Sequence, residues 1–212
     1  SKWLHIKLRD SFLSKYDSRV INNGIDLEVF KPTSNKTILK KLNIENKFVL
    51  LGVASVWTEK KGLFEFIKLS RILNEDYAIV LVGGPTKTQQ ILPKNIYFIP
   101  RIANQSHLAE IYSSSDLYLN LTFEDTFPTT NLESIACGTE VLTYKTGGSP
   151  ESVEEGCGII VNQGDIDSLV EKIKEIKNNE FPKISQESLR LIASDKFDKD
   201  ICSKMRYEHN AN

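Results

Sequence analysis

Apolar residues in this chain fall into short unbroken runs, separated by stretches in which they recur every third or fourth position. The runs are Phe48 to Ala54, Ala78 to Val82, Ile96 to Ile99, Leu117 to Leu121, Val141 to Tyr144 and Gly158 to Val161. Runs of this kind are expected of strands covered on both faces. Between them, Leu63, Phe66, Ile67, Ser70 and Leu73 keep helical spacing behind Gly62, and Leu108, Ile111 and Tyr112 do so in a helix from about Ser106. Thr129 to Cys137 reads as a further helix. Asp165 is placed to cap another, reaching about Lys177, with Ile166, Leu169, Val170, Ile173 and Ile176 on one side. Ser1 to Leu13 reads as helical, and Ser185 to Asn212 as two helices broken near Asp195. Arg19 to Ile21 is strand-like and leads into the turn signal Asn23-Gly24, while Gly83-Gly84-Pro85 closes the second run. Six strands alternating with helices predict an α/β fold: a doubly wound, mainly parallel sheet with helices on both faces. No internal repeat or low-complexity linker divides the chain, so residues 1–212 read as one compact domain.

Composition narrows the function only by exclusion. The chain has 212 residues, 40% hydrophobic and 26% charged, with a formal net charge of −1. Such a balance gives no electrostatic case for nucleic acid or an anionic membrane. No apolar stretch approaches the roughly 20 residues of a membrane span, and the start lacks a signal-peptide hydrophobic region. Cys137, Cys157 and Cys202 lack metal-ligand spacing and read as reduced, buried thiols of a cytoplasmic protein. The first residue is Ser1 and the only methionine is Met205, so a piece of a longer protein is expected.

The chemistry concentrates between Glu124 and Gly148. Glu124 and Asp125 follow the fourth apolar run, Phe127-Pro128 turns the chain, and the next helix carries Glu133 in its first turns. This layout sets acids and helix-terminal N–H groups at the carboxyl end of a sheet, where open α/β folds bind ligands. Amide donors suit a phosphate and carboxylates suit sugar hydroxyls. A nucleotide-sugar offers both.

Four segments, in order, resemble the retaining glycosyltransferases of family four, and specifically the C-terminal, donor-binding half of their two-domain GT-B fold. They are Val20 to Pro32 (VINNGIDLEVFKP), Lys60-Lys61-Gly62, the acids Asp125 and Glu133 enclosing residues 126 to 132, and Cys137 to Glu151 with its C-G-T-x-V and G-G-x-x-E patterns. The resemblance covers nearly the whole chain. It implies a UDP-sugar donor, a saccharide or glycolipid acceptor, polysaccharide biosynthesis and a metal-independent, cofactor-free reaction. An N-terminal half outside this sequence would bring the acceptor and any contact with the inner face of a membrane. The helical ends, 1–17 and 196–212, would face that half. The isolated chain is expected to bind donor weakly and turn over little.

Residue by residue, Glu133 takes the position of the family's ribose-binding acid; read on its own, with its charge favoured near a helix start, it is more readily a carboxylate capping its own helix. Asp125 stands at the donor-sugar acid, one methylene shorter than the family's glutamate, with Glu124 as second choice for that role. Lys61 is expected to neutralise the diphosphate, stabilising charge that grows in the transition state. The family's second phosphate-binding cation is replaced by Val56, leaving Lys60 or Arg101 as substitutes. Pro128 after Phe127 removes an N–H, so donation falls to Thr129, Thr130 or Asn131. Arg101 and Ile102 lie where the family reads the base, although an arginine ending a strand is as readily a surface residue. Gly147 and Gly148 either admit a ligand to the backbone or make a tight turn, and Thr146 is open between the same roles. His5, His107 and His209 form no nucleophile or metal constellation, and Trp57 reads as packing.

Three other classes share the alternating architecture. A nicotinamide-binding domain requires a Gly-x-Gly-x-x-Gly turn after a strand, and none follows Phe48 to Ala54. A non-catalytic receiver module requires acids after its first strand, where Ser55-Val56-Trp57 stands. A sugar-nucleotide epimerase of related fold is the closest competitor, since its donor site is much the same.

Overall fold

The computed structural model of the chain describes residues 1–84, 92–153, 156–182 and 184–210, with side chains to residue 204. Six strands form one sheet: β1 (Phe48–Val56), β2 (Tyr77–Gly84), β3 (Ile96–Pro100), β4 (Leu117–Asn120), β5 (Val141–Tyr144) and β6 (Gly158–Val161). Their order is β3-β2-β1-β4-β5-β6 and every pairing is parallel. The helices are α1 (Lys2–Arg9), α2 (Thr37–Leu42), α3 (Leu63–Ile72), α4 (Gln105–Ser114), α5 (Thr129–Ala136), α6 (Ile166–Lys177), α7 (Gln186–Lys196) and α8 (Lys199–Asn210).

Alternation along each strand sends side chains to opposite faces, and two cores result. Val49, Leu51, Ala78, Val80 and Tyr118 join Leu39 of α2, Tyr112 of α4, Leu132 of α5 and Leu189 of α7. Leu50, Ile79, Leu81, Leu117 and Leu119 join Phe66 of α3 and Leu169 of α6. The predicted doubly wound sheet is therefore present, with helices on both faces. Asp165 caps α6 as expected, accepting the Ser168 amide at 3.1 Å and its hydroxyl at 2.8 Å. Those bonds hold its carboxyl below the ordinary range.

The order of the strands reverses between β1 and β4, the switch point at which such sheets open a crevice. Only Leu50 and Leu51 of β1 register with β4, opposite Leu117 and Tyr118. Beyond them β1 continues without β4 beside it, and the sheet parts there.

Several local readings are corrected. Arg19 to Ile21 joins no strand, and Asn23-Gly24 makes no turn. Ile25 instead forms a single parallel bridge to Asp198 at the start of α8. Gly24 is glycine because the backbone of Lys199 lies where its Cβ would be. Helix α2 carried no sequence signal: it has six residues, no side-chain cap and one buried residue, Leu39. The first helix stops at Arg9 and the chain re-forms as a 3-10 turn over Phe12–Lys15. Pro85 of the glycine turn, the side chain of His209 and the end of the tail at 211–212 lie outside the described residues. The three cysteines are buried thiols, and burial pushes that of Cys137 up to about 12.

Candidate functional site

The loop after β1 brings in the cations. Thr58 caps the turn that follows the strand, accepting the Lys61 amide on its hydroxyl at 3.3 Å and on its carbonyl at 3.1 Å. Gly62 then starts α3 in the left-handed region, φ 80°, with a Cβ excluded by the Leu121 carbonyl. The loop after β4 brings in the acids. Phe123 donates its amide to the Lys60 carbonyl at 2.8 Å, so the two loops are tied to each other at the backbone.

Charge pairing follows from that tie. Lys61 Nζ lies 3.0 Å from Asp125 Oδ2, with side chains 39% and 21% exposed. Lys60 Nζ lies 3.2 Å from Glu124 Oε2, with 78% and 67% exposed. Surface pairs contribute little because water screens them and two long side chains lose freedom, so the inner pair is the more consequential. Asp125 is further fixed by the Phe127 amide, which donates to its Oδ1 at 3.3 Å.

Lys61, Asp125, Phe127, Pro128, Thr129 and Thr130 line one cavity of about 270 Å³, together with Val53, Ala54 and Ser55 of the free end of β1. The α5 N-terminus opens into it. Its N-cap is Pro128, which makes no side-chain cap, so the Thr129 and Thr130 amides have no capping acceptor. Uncapped amides and the positive end of a helix form an anion cradle. Trp57 also reaches the cavity, but it is packed: it is 3% exposed, meets Phe66 edge-on at 5.4 Å, and donates Nε1–H to the Val82 carbonyl at 3.2 Å.

Other expected residues stand elsewhere. Asn131 is not a free donor. Its amide is spent on the Pro128 carbonyl at 3.2 Å, and its side chain is fully buried. There Oδ1 accepts from Asn120 Nδ2 at 2.8 Å and Nδ2 donates to Ser152 Oγ at 2.8 Å. Ser152 passes its own proton to the Ser149 carbonyl at 2.7 Å. This buried chain joins the tip of β4, the first turn of α5 and the loop after β5. Sequence reading missed it, although a lone asparagine in the apolar run Leu117 to Leu121 was its signal. Replacing Asn131 by alanine should cost about 1–3 kcal/mol, since a buried amide of Asn120 loses its acceptor. Chemical denaturation checks this, with an unchanged midpoint as the contrary result.

Gly147 and Gly148 do not line the cavity. A Cβ on Gly147, at φ 51°, would overlap the Asp125 carbonyl oxygen, and one on Gly148 would overlap that of Thr126. Gly148 donates its amide to the Asp125 carbonyl at 3.0 Å. The pair is a tight turn pressed against the acid loop. Thr146 belongs to the same brace, donating its hydroxyl to the Phe123 carbonyl at 2.9 Å. Just beyond, the Glu151 carboxylate accepts the amides of Lys2 at 2.6 Å and Trp3 at 2.7 Å, seating the start of α1.

Glu133 is the fifth residue of α5, outside the first turn. The dipole argument therefore fails, since that field fades within one turn. Burial dominates and raises its carboxyl above the ordinary value, with a hydrogen bond from Tyr112 opposing. Arg101 is exposed beyond the end of β3, two strands from β1, and Ile102 packs partly against the core. Val56, at the position of the family's second cation, is 52% exposed at the end of β1.

Comparisons with known proteins agree with this architecture. The family model for glycosyl transferases group 1 matches residues 34–194. The capsular polysaccharide biosynthesis glycosyltransferase CapM of Staphylococcus aureus is 25% identical over 169 residues, which make up 75% of this chain and 44% of that protein. Among solved structures, the sucrose-phosphate synthase of Thermosynechococcus elongatus superposes with a TM-score of 0.85 at 21% identity, covering 100% of this chain and 56% of its own. Anabaena HepE in complex with UDP-glucose gives 0.79 at 21% identity, covering 91% and 57%. The chain thus spans about half the length of the proteins it matches, and the fold is that of one half of a GT-B enzyme. Among the described residues no helix is long and apolar enough to cross a membrane. The chain belongs to the glycosyl transferases of group 1.

Proposed function

We propose that the crevice between β1 and β4 binds a nucleotide-sugar, a UDP-sugar by default, for retaining transfer of a hexosyl group to a saccharide or glycolipid acceptor in polysaccharide biosynthesis. The observation that carries this reading is the meeting of Lys61 and Asp125 at the uncapped start of α5. A pyrophosphate needs a cation and amides, and the sugar beside it needs a hydroxyl acceptor. The UDP-glucose complex of HepE, a protein of the same fold, supports the choice of donor, and CapM supports the pathway class.

Lys61 is paired with Asp125. Donor entry places phosphate oxygens within reach of the lysine, which loosens Asp125 and frees its carboxylate for the sugar. Cleavage of the bond between the anomeric carbon and the phosphate oxygen leaves charge on the diphosphate, next to Lys61 and the α5 amides. The acceptor hydroxyl attacks from the same face and gives its proton to that leaving oxygen. No metal or cofactor is called for. Lys60, one residue away and held by Glu124, is the better placed substitute for the cation missing at Val56; Arg101 lies two strands off. The other half of the enzyme, against helical ends 1–17 and 196–212, would supply the acceptor, in the cytoplasm or at the inner membrane face.

Titration calorimetry with UDP, GDP, ADP and uridine tests the reading. UDP should bind, and Lys61→Ala should weaken it about 3- to 10-fold, a modest figure because the ammonium group is partly exposed and screened. Uridine, lacking phosphate, should be indifferent to the change. Equal loss for both ligands, or none for either, would remove the diphosphate from this site.

A further inference from the structure

The geometry points to Tyr112 as the positioning residue that presents Glu133 to the hydroxyls of a bound nucleoside. This rests on the nucleotide reading above and extends the site along α5, beyond the residues that line the cavity, to which neither Glu133 nor Tyr112 belongs.

Tyr112 is fully buried on α4, and its ring is wedged edge-on between Phe30 at 6.4 Å and Tyr118 at 5.4 Å. Its carbonyl is held by the Thr139 hydroxyl at 2.6 Å. A side chain so enclosed has little room to turn. Its hydroxyl donates to Glu133 Oε2 at 3.0 Å, its one hydrogen bond among the described residues. The other oxygen, Oε1, accepts no hydrogen bond among the described residues, yet it is not among their sealed, unpaired buried atoms. One half of the carboxylate is thus anchored to an immobile phenol and the other half is open. A carboxylate has roughly four acceptor sites, so the anchor leaves enough capacity for two hydroxyl protons and fixes the plane in which they are taken.

The arrangement also controls ionisation. Burial favours the protonated form of Glu133, and the Tyr112 hydrogen bond is the interaction that favours the charged one. Its charge is felt by Tyr118 from β4 and Cys137 from its own helix; Asp125 of the acid loop acts on Tyr118, and Arg190 of α7 on Cys137. Arg190 points its guanidinium at the carbonyls of Leu27, Phe30 and Ala136 and gives Glu133 no direct hydrogen bond. Without Tyr112, the carboxylate loses both its orientation and its nearest proton donor.

The test measures binding of UDP-glucose, whose diphosphate diester has no group titrating near neutrality, across a range of pH. Tyr112→Phe should weaken binding about 3- to 10-fold at neutral pH and move the acid limb of the profile toward neutral. Glu133→Gln should weaken binding and remove that limb. In the double variant the loss of the phenol should cost less than it does alone, because the hydrogen bond to a neutral amide is weaker than the one to a carboxylate. A merely structural tyrosine would lower the unfolding midpoint without moving the limb, and would cost the same in either background. That result overturns the inference while leaving the nucleotide reading intact. Unchanged binding in Glu133→Gln would likewise overturn the inference alone, whereas failure of the unmodified chain to bind UDP-glucose would overturn the nucleotide reading.

Discussion

Replacing Glu133 by glutamine should make the protein more stable and its nucleotide binding far weaker. A carboxylate whose folded-state pKa lies above its unfolded value binds more protons when folded, so stability falls as pH rises through that interval. Burial raises the folded-state carboxyl of Glu133, so its penalty grows as pH rises from the unfolded value and is complete above the folded one. Glutamine keeps an oxygen for the Tyr112 hydroxyl at almost unchanged volume and carries no charge to bury. The thermal midpoint should therefore rise at pH 7 and lose the gain at acid pH, where the wild-type acid is already protonated. Binding moves the other way. Two charge-assisted hydrogen bonds to vicinal hydroxyls become weaker neutral ones, for a loss of about 10- to 100-fold in affinity for UDP. Opposite signs in scanning calorimetry and ligand titration would mark a residue kept for binding at a cost in stability. A fall in both would identify Glu133 as ordinary scaffold.

Gly148→Ala should be among the most damaging single methyl additions at the described residues. The backbone of Gly148 is in an ordinary region, so the whole cost is overlap with the Thr126 carbonyl, a backbone atom that cannot swing aside. Relief requires the acid loop to move, breaking the bond from the Gly148 amide to the Asp125 carbonyl. About 3–4 kcal/mol is expected, near the upper end for point substitutions. For a chain of this size that corresponds to roughly 6–16 °C in the thermal midpoint. Gly164→Ala provides the contrast: its φ is 79° but a Cβ there meets nothing. It should cost only the left-handed strain, about 1–2 kcal/mol. If the two variants melt together, the brace between the glycine turn and the acid loop is not as tight as the geometry indicates.

What could be read along the chain was whatever depends on local order. Phe48 to Ala54 and Ala78 to Val82 announced strands because both faces of each are covered, and burial leaves an apolar run. Asp165 announced a helix because a cap acts on the amides just after it. The position of Lys61 and Asp125 on loops at one end of the sheet followed from strand alternation alone. Interactions that join distant segments were hidden. Asn120, Asn131 and Ser152 are each unremarkable in their own segments and become a network only when β4, α5 and the loop after β5 meet. Gly147 and Gly148 could be glycine for a ligand or for a neighbour, and the neighbour is Asp125 and Thr126. Glu133 was misjudged on electrostatics, because sequence distance from the helix start reveals nothing of how deeply the side chain is set. The short helix α2 had too few apolar positions to show a period.

The two lysine–carboxylate pairs at the crevice mouth carry a kinetic consequence. Lys60 with Glu124 and Lys61 with Asp125 sum to no net charge, and opposed charges a few ångströms apart project little field beyond a Debye length of about 8 Å. On the proposed reading these four groups would neither draw in nor repel an arriving dianion from afar. Discrimination would begin on contact, when one lysine changes hands, and the rim would stay quiet toward other anions of similar charge.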